Sequence, residues 1–109
     1  MTYIKINNTL YPATISGRII DQEWNGRSSK TIHLTMNYET ITQLFIDDIH
    51  WSIVEEFTNE EEEISQTEYD NSEYCLVGDI ISHRDGTFSV KMGKITNEEL
   101  INIMTGGSF

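Results

Sequence analysis

The acidic residues of this chain are concentrated in one segment, which limits where a hydrophobic core can form. Residues 47–73 hold 11 of the 18 acidic residues and no Lys or Arg. The other 7 acidic residues are balanced by the 7 basic ones, so the formal net charge of −11 lies in about one quarter of the molecule. We therefore predict that the rest of the chain is a neutral scaffold that displays this segment. Segregated charge of one sign is typical of a surface that meets a partner of the opposite sign.

Size and composition favour one folded domain over residues 1–109. The chain is 38% apolar and 10% aromatic, as in a folded protein and unlike a disordered acidic tail. No apolar run approaches the length of a membrane span, and the N-terminus does not resemble a secretory signal. The single Cys75 excludes an internal disulfide. These features predict a protein of the bacterial host cytosol, without a membrane-spanning segment.

Strand signals dominate the first third of the chain. Alternating apolar residues predict strands at residues 3–6, 10–20 and 31–36. Asn7-Asn8 and Asn25-Gly26 are the turn signals that accompany them. Pro12 predicts that the second strand starts at a sheet edge, because proline cannot donate a ladder hydrogen bond. Gly17 predicts a bulge in the same strand.

Capping signals predict two short helices. Asn37 is the expected N-cap of a helix that runs to about residue 46, with apolar residues at helical spacing. Thr96 and Glu99 have the spacing of a capping box before a second apolar run. Gly106-Gly107 is expected to close that second helix.

The second half of the chain adds strands and an exposed insert. Strands are predicted at residues 49–57, 74–83 and 87–92, the last two joined by a turn at Asp85-Gly86. Residues 55–68 are predicted to be an exposed acidic insert, since Ile64 is the one apolar residue between 58 and 68. Thr58 and Glu61 have capping-box spacing, which suggests a helical turn there. The order β-β-β-α-β-β-β-α predicts an α+β domain with a mostly antiparallel sheet of about six strands and two short helices.

The residue pattern gives little support for a catalytic or metal-binding site. The candidate metal ligands His33, His50, Cys75 and His83 do not have zinc-site spacing, so we interpret them as surface histidines and a buried thiol. Residues 82–85 contain Ser, His and Asp, but neighbours on a strand end point to opposite faces, which favours a polar turn. No phosphate-binding glycine loop is present. We therefore expect a non-enzymatic protein without cofactor, catalytic or metal-binding residues.

The two tryptophans have different expected roles. Trp51 lies between Ile49 and Ile53 and is expected in the core. Trp24 lies in a polar connection beside Arg27. It could be an exposed aromatic at an interface, or it could fold back to plug one end of the sheet.

The acidic segment has three possible roles. It could serve solubility alone, or bind a divalent cation, although the usual calcium-loop spacing is absent. The third is that the carboxylates imitate phosphates and occupy a basic protein groove built for nucleic acid, in a salt-sensitive way. Direct binding to nucleic acid or anionic lipid is disfavoured, because both carry the same sign of charge. The residues expected to contact a partner are Trp24, Asp47, Asp48, Glu55, Glu56, Glu60, Glu61, Glu62, Glu63, Glu68, Asp70 and Glu73.

Several motifs resemble small uncharacterised proteins of phages and prophages of Gram-positive bacteria. They are Tyr3–Asn7, Tyr11–Arg18, Trp24–Arg27 with Lys30, Tyr69–Cys75, His83–Thr87 and Lys91–Lys94. The resemblance covers most of the chain, but these motifs carry no known chemistry, so it implies a mobile-element origin.

Two functional classes follow from that resemblance. The chain is similar in size, charge and context to anti-CRISPR proteins that inhibit Cas9 by covering its nucleic-acid-binding surface, which implies a DNA mimic, monomeric or homodimeric, bound to Cas9 with its guide RNA. The alternative is a small structural component of a phage tail or baseplate, which needs a self-complementary or apolar patch. No exposed apolar stripe is expected from the sequence, which favours the inhibitor.

Overall fold

The computed structural model describes the backbone of residues 1–104 and the side chains of residues 1–101. Its elements are β1 (Thr2–Ile6), β2 (Thr9–Asp21), a 3₁₀ helix (Gln22–Trp24), β3 (Arg27–Thr35), α1 (Tyr38–Leu44), β4 (Trp51–Thr58), β5 (Ile64–Asp70), β6 (Leu76–Ser82), β7 (Thr87–Gly93) and α2 (Asn97–Met104). The strands form one antiparallel sheet in the order β5-β4-β1-β2-β3-β7-β6. The α+β class is confirmed, with seven strands where about six were predicted.

Strand β2 connects the two halves of the sheet. Its residues 9–12 pair with β1, and its residues 13–21 pair with β3. In the described part of the chain, Pro12 therefore has a ladder partner on the β1 side alone, as its missing N–H requires. The predicted turns also form, because Asn7, Asn8 and Asn25 adopt left-handed backbone angles that asparagine tolerates.

The bulge in β2 was predicted at the wrong position. Gly17 pairs regularly with Lys30, and the register shifts instead between Arg18 and Asp21. The extra residue brings Asp21 into the interior, where its side chain is fully buried. It leaves Ile19 and Ile20 exposed, at 87% and 66%.

The core lies between helix α1 and the inner face of β1, β3, β4 and β7. Its buried members are Ile4, Ile6, Ile32, Leu34, Ile41, Phe45, Trp51, Val90 and Met92. Asn37 caps α1 as predicted, since its Oδ1 accepts a hydrogen bond of 2.8 Å from the Thr40 amide. The core position of Trp51 is also confirmed, and its indole N–H donates to the Tyr74 carbonyl at 3.0 Å.

The predicted loop between 58 and 68 is mostly a strand, and this accounts for the seventh strand. Residues 64–70 form β5, which pairs along its whole length with β4. The expected capping box at Thr58 and Glu61 is wrong, because a turn centred on Asn59 joins the two strands. Strand β5 was missed because all seven of its side chains are exposed, so no burial pattern marks it.

Polar contacts fix α2 to the end of the sheet formed by β2, β3 and β7. The buried Arg27 guanidinium forms two hydrogen bonds with the Glu99 carboxylate, at 2.7 and 2.9 Å. Glu99 also forms the predicted capping box with Thr96. Beside it, Lys91 Nζ lies 2.8 Å from Asp21 Oδ2, and this hydrogen bond is the main reason that the pKa of Asp21 is lowered. The predicted helix stop at residues 106–107 lies outside the described residues.

Candidate functional site: the acidic hairpin

The acidic hairpin, defined as β4, β5 and the connecting residues 59–63, forms one edge of the sheet. It carries eight of the eleven carboxylates of the 47–73 segment, because Asp47, Asp48 and Glu73 lie outside it. Every side chain from 57 to 70 is exposed. The molecule measures 59 × 32 × 25 Å, an elongated shape for a chain of this length. Because the hairpin holds eight carboxylates and no Lys or Arg, it accounts for −8 of the formal net charge of −11, on one projecting two-stranded ribbon.

The tip of the hairpin has a defined backbone conformation. The Asn59 side-chain oxygen accepts hydrogen bonds from the amides of Glu61 and Glu63, each at 2.9 Å. The Glu62 amide donates to the Asn59 carbonyl at 3.0 Å, and Glu62 adopts a left-handed conformation with φ of 60°. Four consecutive carboxylates, at residues 60–63, are thus exposed on a turn in which the amides of Glu61, Glu62 and Glu63 are hydrogen-bonded.

Two carboxylates in the middle of β4 point to opposite faces of the ribbon, as neighbours on a strand must. Glu55 accepts hydrogen bonds from the Thr2 hydroxyl at 2.9 and 3.0 Å, on the face of the core. Glu56 accepts one from the Gln66 side chain at 3.1 Å, on the other face. Both carboxylates are held in place by neutral partners.

The carboxylates at the base of the hairpin are committed to internal contacts. Lys5 Nζ lies 3.0 Å from Glu68, and this hydrogen bond is the main reason that the pKa of Glu68 is lowered. Asp70 accepts hydrogen bonds from the Ser72 hydroxyl and amide, which lower its pKa. These two carboxylates therefore offer less to a partner than the residues nearer the tip.

Three other acidic residues predicted to contact a partner have structural contacts away from the hairpin. The Asp47 carboxylate accepts a hydrogen bond of 2.9 Å from the Val77 amide, and the Asp48 amide donates to the Cys75 carbonyl at 2.8 Å. Both hold the start of β6 against the end of α1. Glu73 forms an ion pair of 3.4 Å with Lys94.

Trp24 lies at the other end of the sheet order from the hairpin. Its indole is half-buried over Gly78 and Gly93, where an added Cβ would come within 2.8 and 2.7 Å of the ring. The Arg27 guanidinium carbon lies 4.9 Å from the ring centroid. The structure thus agrees with the fold-back alternative and brings Trp24 together with Arg27, not with the acidic residues.

The hairpin also exposes large apolar side chains, contrary to the expectation from sequence. Phe57, Ile64 and Tyr69 are 56%, 66% and 54% exposed. Phe57 and Tyr69 share the face of Glu55, because paired and alternate residues lie on one side of the ribbon. The signal in the sequence was the β4 alternation itself, which continues through Phe57 beyond the last residue that the core can cover.

Two of the three histidines form one hydrogen-bonded group that the sequence did not reveal. The Ser89 hydroxyl of β7 lies 2.6 Å from Nδ1 of His33 in β3 and 2.6 Å from Nε2 of His83, which directly follows β6. Among the described residues, no group of three or more His, Cys, Asp or Glu side chains is placed to hold a metal ion. Burial above all raises the pKa of the Cys75 thiol, which disfavours the reactive thiolate.

Comparison with known proteins gives no relative for this chain. No protein-family model, no curated protein and no solved structure matches it. Within the described residues, no helix is both long and apolar enough to cross a membrane.

Proposed function

We propose that this protein is a non-enzymatic, phage-encoded inhibitor that places the acidic hairpin on a basic, nucleic-acid-handling surface of a host defence nuclease. More specifically, the proposed function is that of an anti-CRISPR protein that acts on type II Cas9 in the bacterial cytosol and blocks DNA binding or cleavage. The observation that carries the proposal is the hairpin itself, in which four exposed carboxylates lie on a hydrogen-bonded turn at the end of a projecting ribbon.

The charge density of the hairpin supports the comparison with nucleic acid. A duplex presents one phosphate per about 1.7 Å of its axis, and a basic channel is built to neutralise charges at that spacing. The run 60–63 places carboxylates on successive residues, and Glu55 and Glu56 extend the charge along both faces of β4. Cas9 holds its guide and target in positively charged channels, so such a ribbon is a chemically suitable competitor.

Exposed aromatic residues support a protein partner in preference to simple solubilisation. A segment that served solubility alone would gain nothing from exposing Phe57 and Tyr69. Aromatic side chains are the usual anchors of protein interfaces, while surrounding charges accelerate association. The resemblance of the sequence to small phage proteins supports a viral origin, and hence a host defence enzyme as target.

The direct experiment is inhibition of guide-loaded Cas9 by purified protein over a salt series. We expect inhibition of target DNA binding, weakening as salt rises, and loss of inhibition when Glu60, Glu61, Glu62 and Glu63 are all replaced by Lys. The matched control reverses four acidic residues outside the hairpin, Glu23, Glu39, Asp79 and Glu98, which are all exposed. Equal inhibition by the hairpin variant and the wild type would contradict the proposal, whatever the control does.

A structural role in a phage tail or baseplate is the second candidate. It is favoured by Ile19 and Ile20, which the β2 bulge exposes, and by the two open sheet edges at β5 and β6. This role predicts rings or larger assemblies on size-exclusion chromatography and no effect on Cas9.

A further inference from the structure

The basic residues of this acidic protein are not spread evenly. Arg18, Lys30 and Lys94 line one cleft of about 410 Å³, together with Gly17, Ile19, Ser28, Ser29 and Tyr74. No acidic side chain of the described residues lines that cleft. Three of the 7 basic residues thus meet in one concavity of a chain whose net charge is −11.

Two of the three cations are held close together against one aromatic ring. Lys30 Nζ lies 4.6 Å and Lys94 Nζ 5.1 Å from the centroid of the Tyr74 ring. Lys30 is half-buried, and its ammonium donates a hydrogen bond to the Asn71 side chain. Burial is the largest cause that lowers the pKa of Lys30; the charge of Glu73 opposes it, and the smaller effect of Lys94 adds to it. Holding the Lys30 ammonium half-buried beside a second cation therefore costs free energy, and a bound anion would reduce this cost.

The internal carboxylates compensate this charge incompletely. Arg18 lies 3.7 Å from Asp21, but Asp21 is bound more closely by Lys91 at 2.8 Å, and the Arg18 side chain is 61% exposed. Lys94 pairs with Glu73 at 3.4 Å across the rim, and Glu73 is 62% exposed. Each pair has one largely exposed member, Arg18 at 61% and Glu73 at 62%, so it can open for a ligand at little cost, because exposed ion pairs contribute little stability.

We propose that this cleft is a binding site for a phosphate group, either free or as a monoester. A guanidinium can bind two phosphate oxygens at once, and ammonium groups act as point charges on the remaining oxygens. Arg18, Lys30 and Lys94 supply this combination on adjoining strands and the segment after β7. A dianion also balances two neighbouring ammonium groups better than a single carboxylate does.

Glu73 is the competitor that the ligand must displace. Its carboxylate is the partner of Lys94 and favours the charged form of Lys30. Replacing Glu73 by Gln removes this competition and should tighten phosphate binding several-fold, whereas Lys94→Gln should weaken it about tenfold, the value of one charge-assisted hydrogen bond. The opposite signs of these two effects distinguish a built site from general attraction of anions to lysine.

The test is an NMR titration of the full chain with inorganic phosphate and, separately, with glycerol 3-phosphate, at constant ionic strength set by NaCl. We expect saturable amide shifts centred on Gly17, Ser29, Lys30 and Lys94, and weakened binding in Arg18→Gln and Lys94→Gln. Equal affinities assign the site to the phosphate group itself, and tighter binding of glycerol 3-phosphate assigns it to an esterified phosphate.

The matched control is Arg84→Gln, which removes one positive charge from the β6–β7 turn, outside the cleft. Its affinity should equal that of the wild type. Absence of saturable shifts with both probes would overturn the proposal, and so would an equal loss of affinity in Arg84→Gln and Lys94→Gln. The folding of each variant is checked by its amide spectrum without ligand, and Glu73→Gln provides a second, independent readout.

Discussion

The Arg27–Glu99 pair shows how one residue can secure a whole element. Arg27 is buried, and its two terminal nitrogens donate hydrogen bonds to the Glu99 carboxylate. One of them also donates to the Lys94 carbonyl at 2.9 Å. The hydrogen bonds from Arg27, and then the one from the Thr96 amide, lower the pKa of Glu99 to about 2. The clamp joins residues 72 positions apart in the sequence. Among the side chains that the structure describes, this pair links helix α2 to the start of β3.

Glu99→Gln should destabilise the protein by about 1–2 kcal/mol at pH 7, a value reduced for the partial exposure of Glu99. Because the folded-state pKa is lowered, this stabilisation is complete above the unfolded pKa of Glu99 and is lost as the pH falls through about 2. Urea unfolding of both proteins from pH 7 to pH 2 should show the two stabilities converging in acid. The control is Glu98→Gln, an exposed neighbour in the same helical turn, for which a similar loss would contradict the role of the clamp.

Gly93 tests the packing of Trp24 at the residue scale. An added Cβ would lie 2.7 Å from the indole and 2.8 Å from Arg27 Cδ, so Gly93→Ala should cost about 1–3 kcal/mol through overpacking. At Gly17 the nearest atom is 3.7 Å away, so Gly17→Ala should be nearly neutral. Chemical denaturation of both variants checks this, and equal stabilities would show that Trp24 does not rest on Gly93.

At the scale of elements, locally encoded features were predictable and non-local ones were not. The Asn37 cap and the Thr96–Glu99 capping box depend on residues three apart, and the structure contains both. The bulge position depends on the buried contacts of Asp21 with Ser29 and Lys91, which no local pattern reveals. Strand β5 pairs through its backbone alone, so its polar sequence looked like a loop.

The candidate site shows the same difference between local features, which were predictable, and non-local ones, which were not. The concentration of carboxylates could be read directly from the sequence, and so could the exposure of Glu60 to Glu63. Their attachment to a paired ribbon could not, nor could the internal contacts of Glu68 and Glu73 with lysines distant in the sequence. The position of Trp24 over two glycines from other strands was equally hidden.

Asn59 is the residue on which the hairpin tip depends as an element. Asn59→Ala removes the acceptor for the Glu61 and Glu63 amides, so their hydrogen exchange should accelerate while global stability changes by less than about 1 kcal/mol. Hydrogen exchange followed by NMR measures both effects. Unchanged exchange of these two amides would show that the tip is held by other contacts.

At the scale of the whole molecule, charge is sorted by location. The acidic hairpin occupies one edge of the sheet, while Arg18, Lys30 and Lys94 line the cleft of the proposed phosphate site. The two regions adjoin, because Lys30 also lines a cavity with Glu55, and its ammonium donates to Asn71, which directly follows the hairpin. The tip of the hairpin, residues 59–63, lines neither cavity, so a basic partner can meet the tip without covering the cleft.

Hydrogen exchange of the protein with and without guide-loaded Cas9 tests the central claim most directly. If the acidic hairpin is the binding surface, amides at the hairpin should gain protection in the complex, and this protection should diminish as salt is raised. The exposed bulge at Ile19 and Ile20 should exchange equally in both states. Protection confined to that bulge, or an unchanged exchange pattern throughout, would contradict the assignment of the hairpin as the surface that binds Cas9.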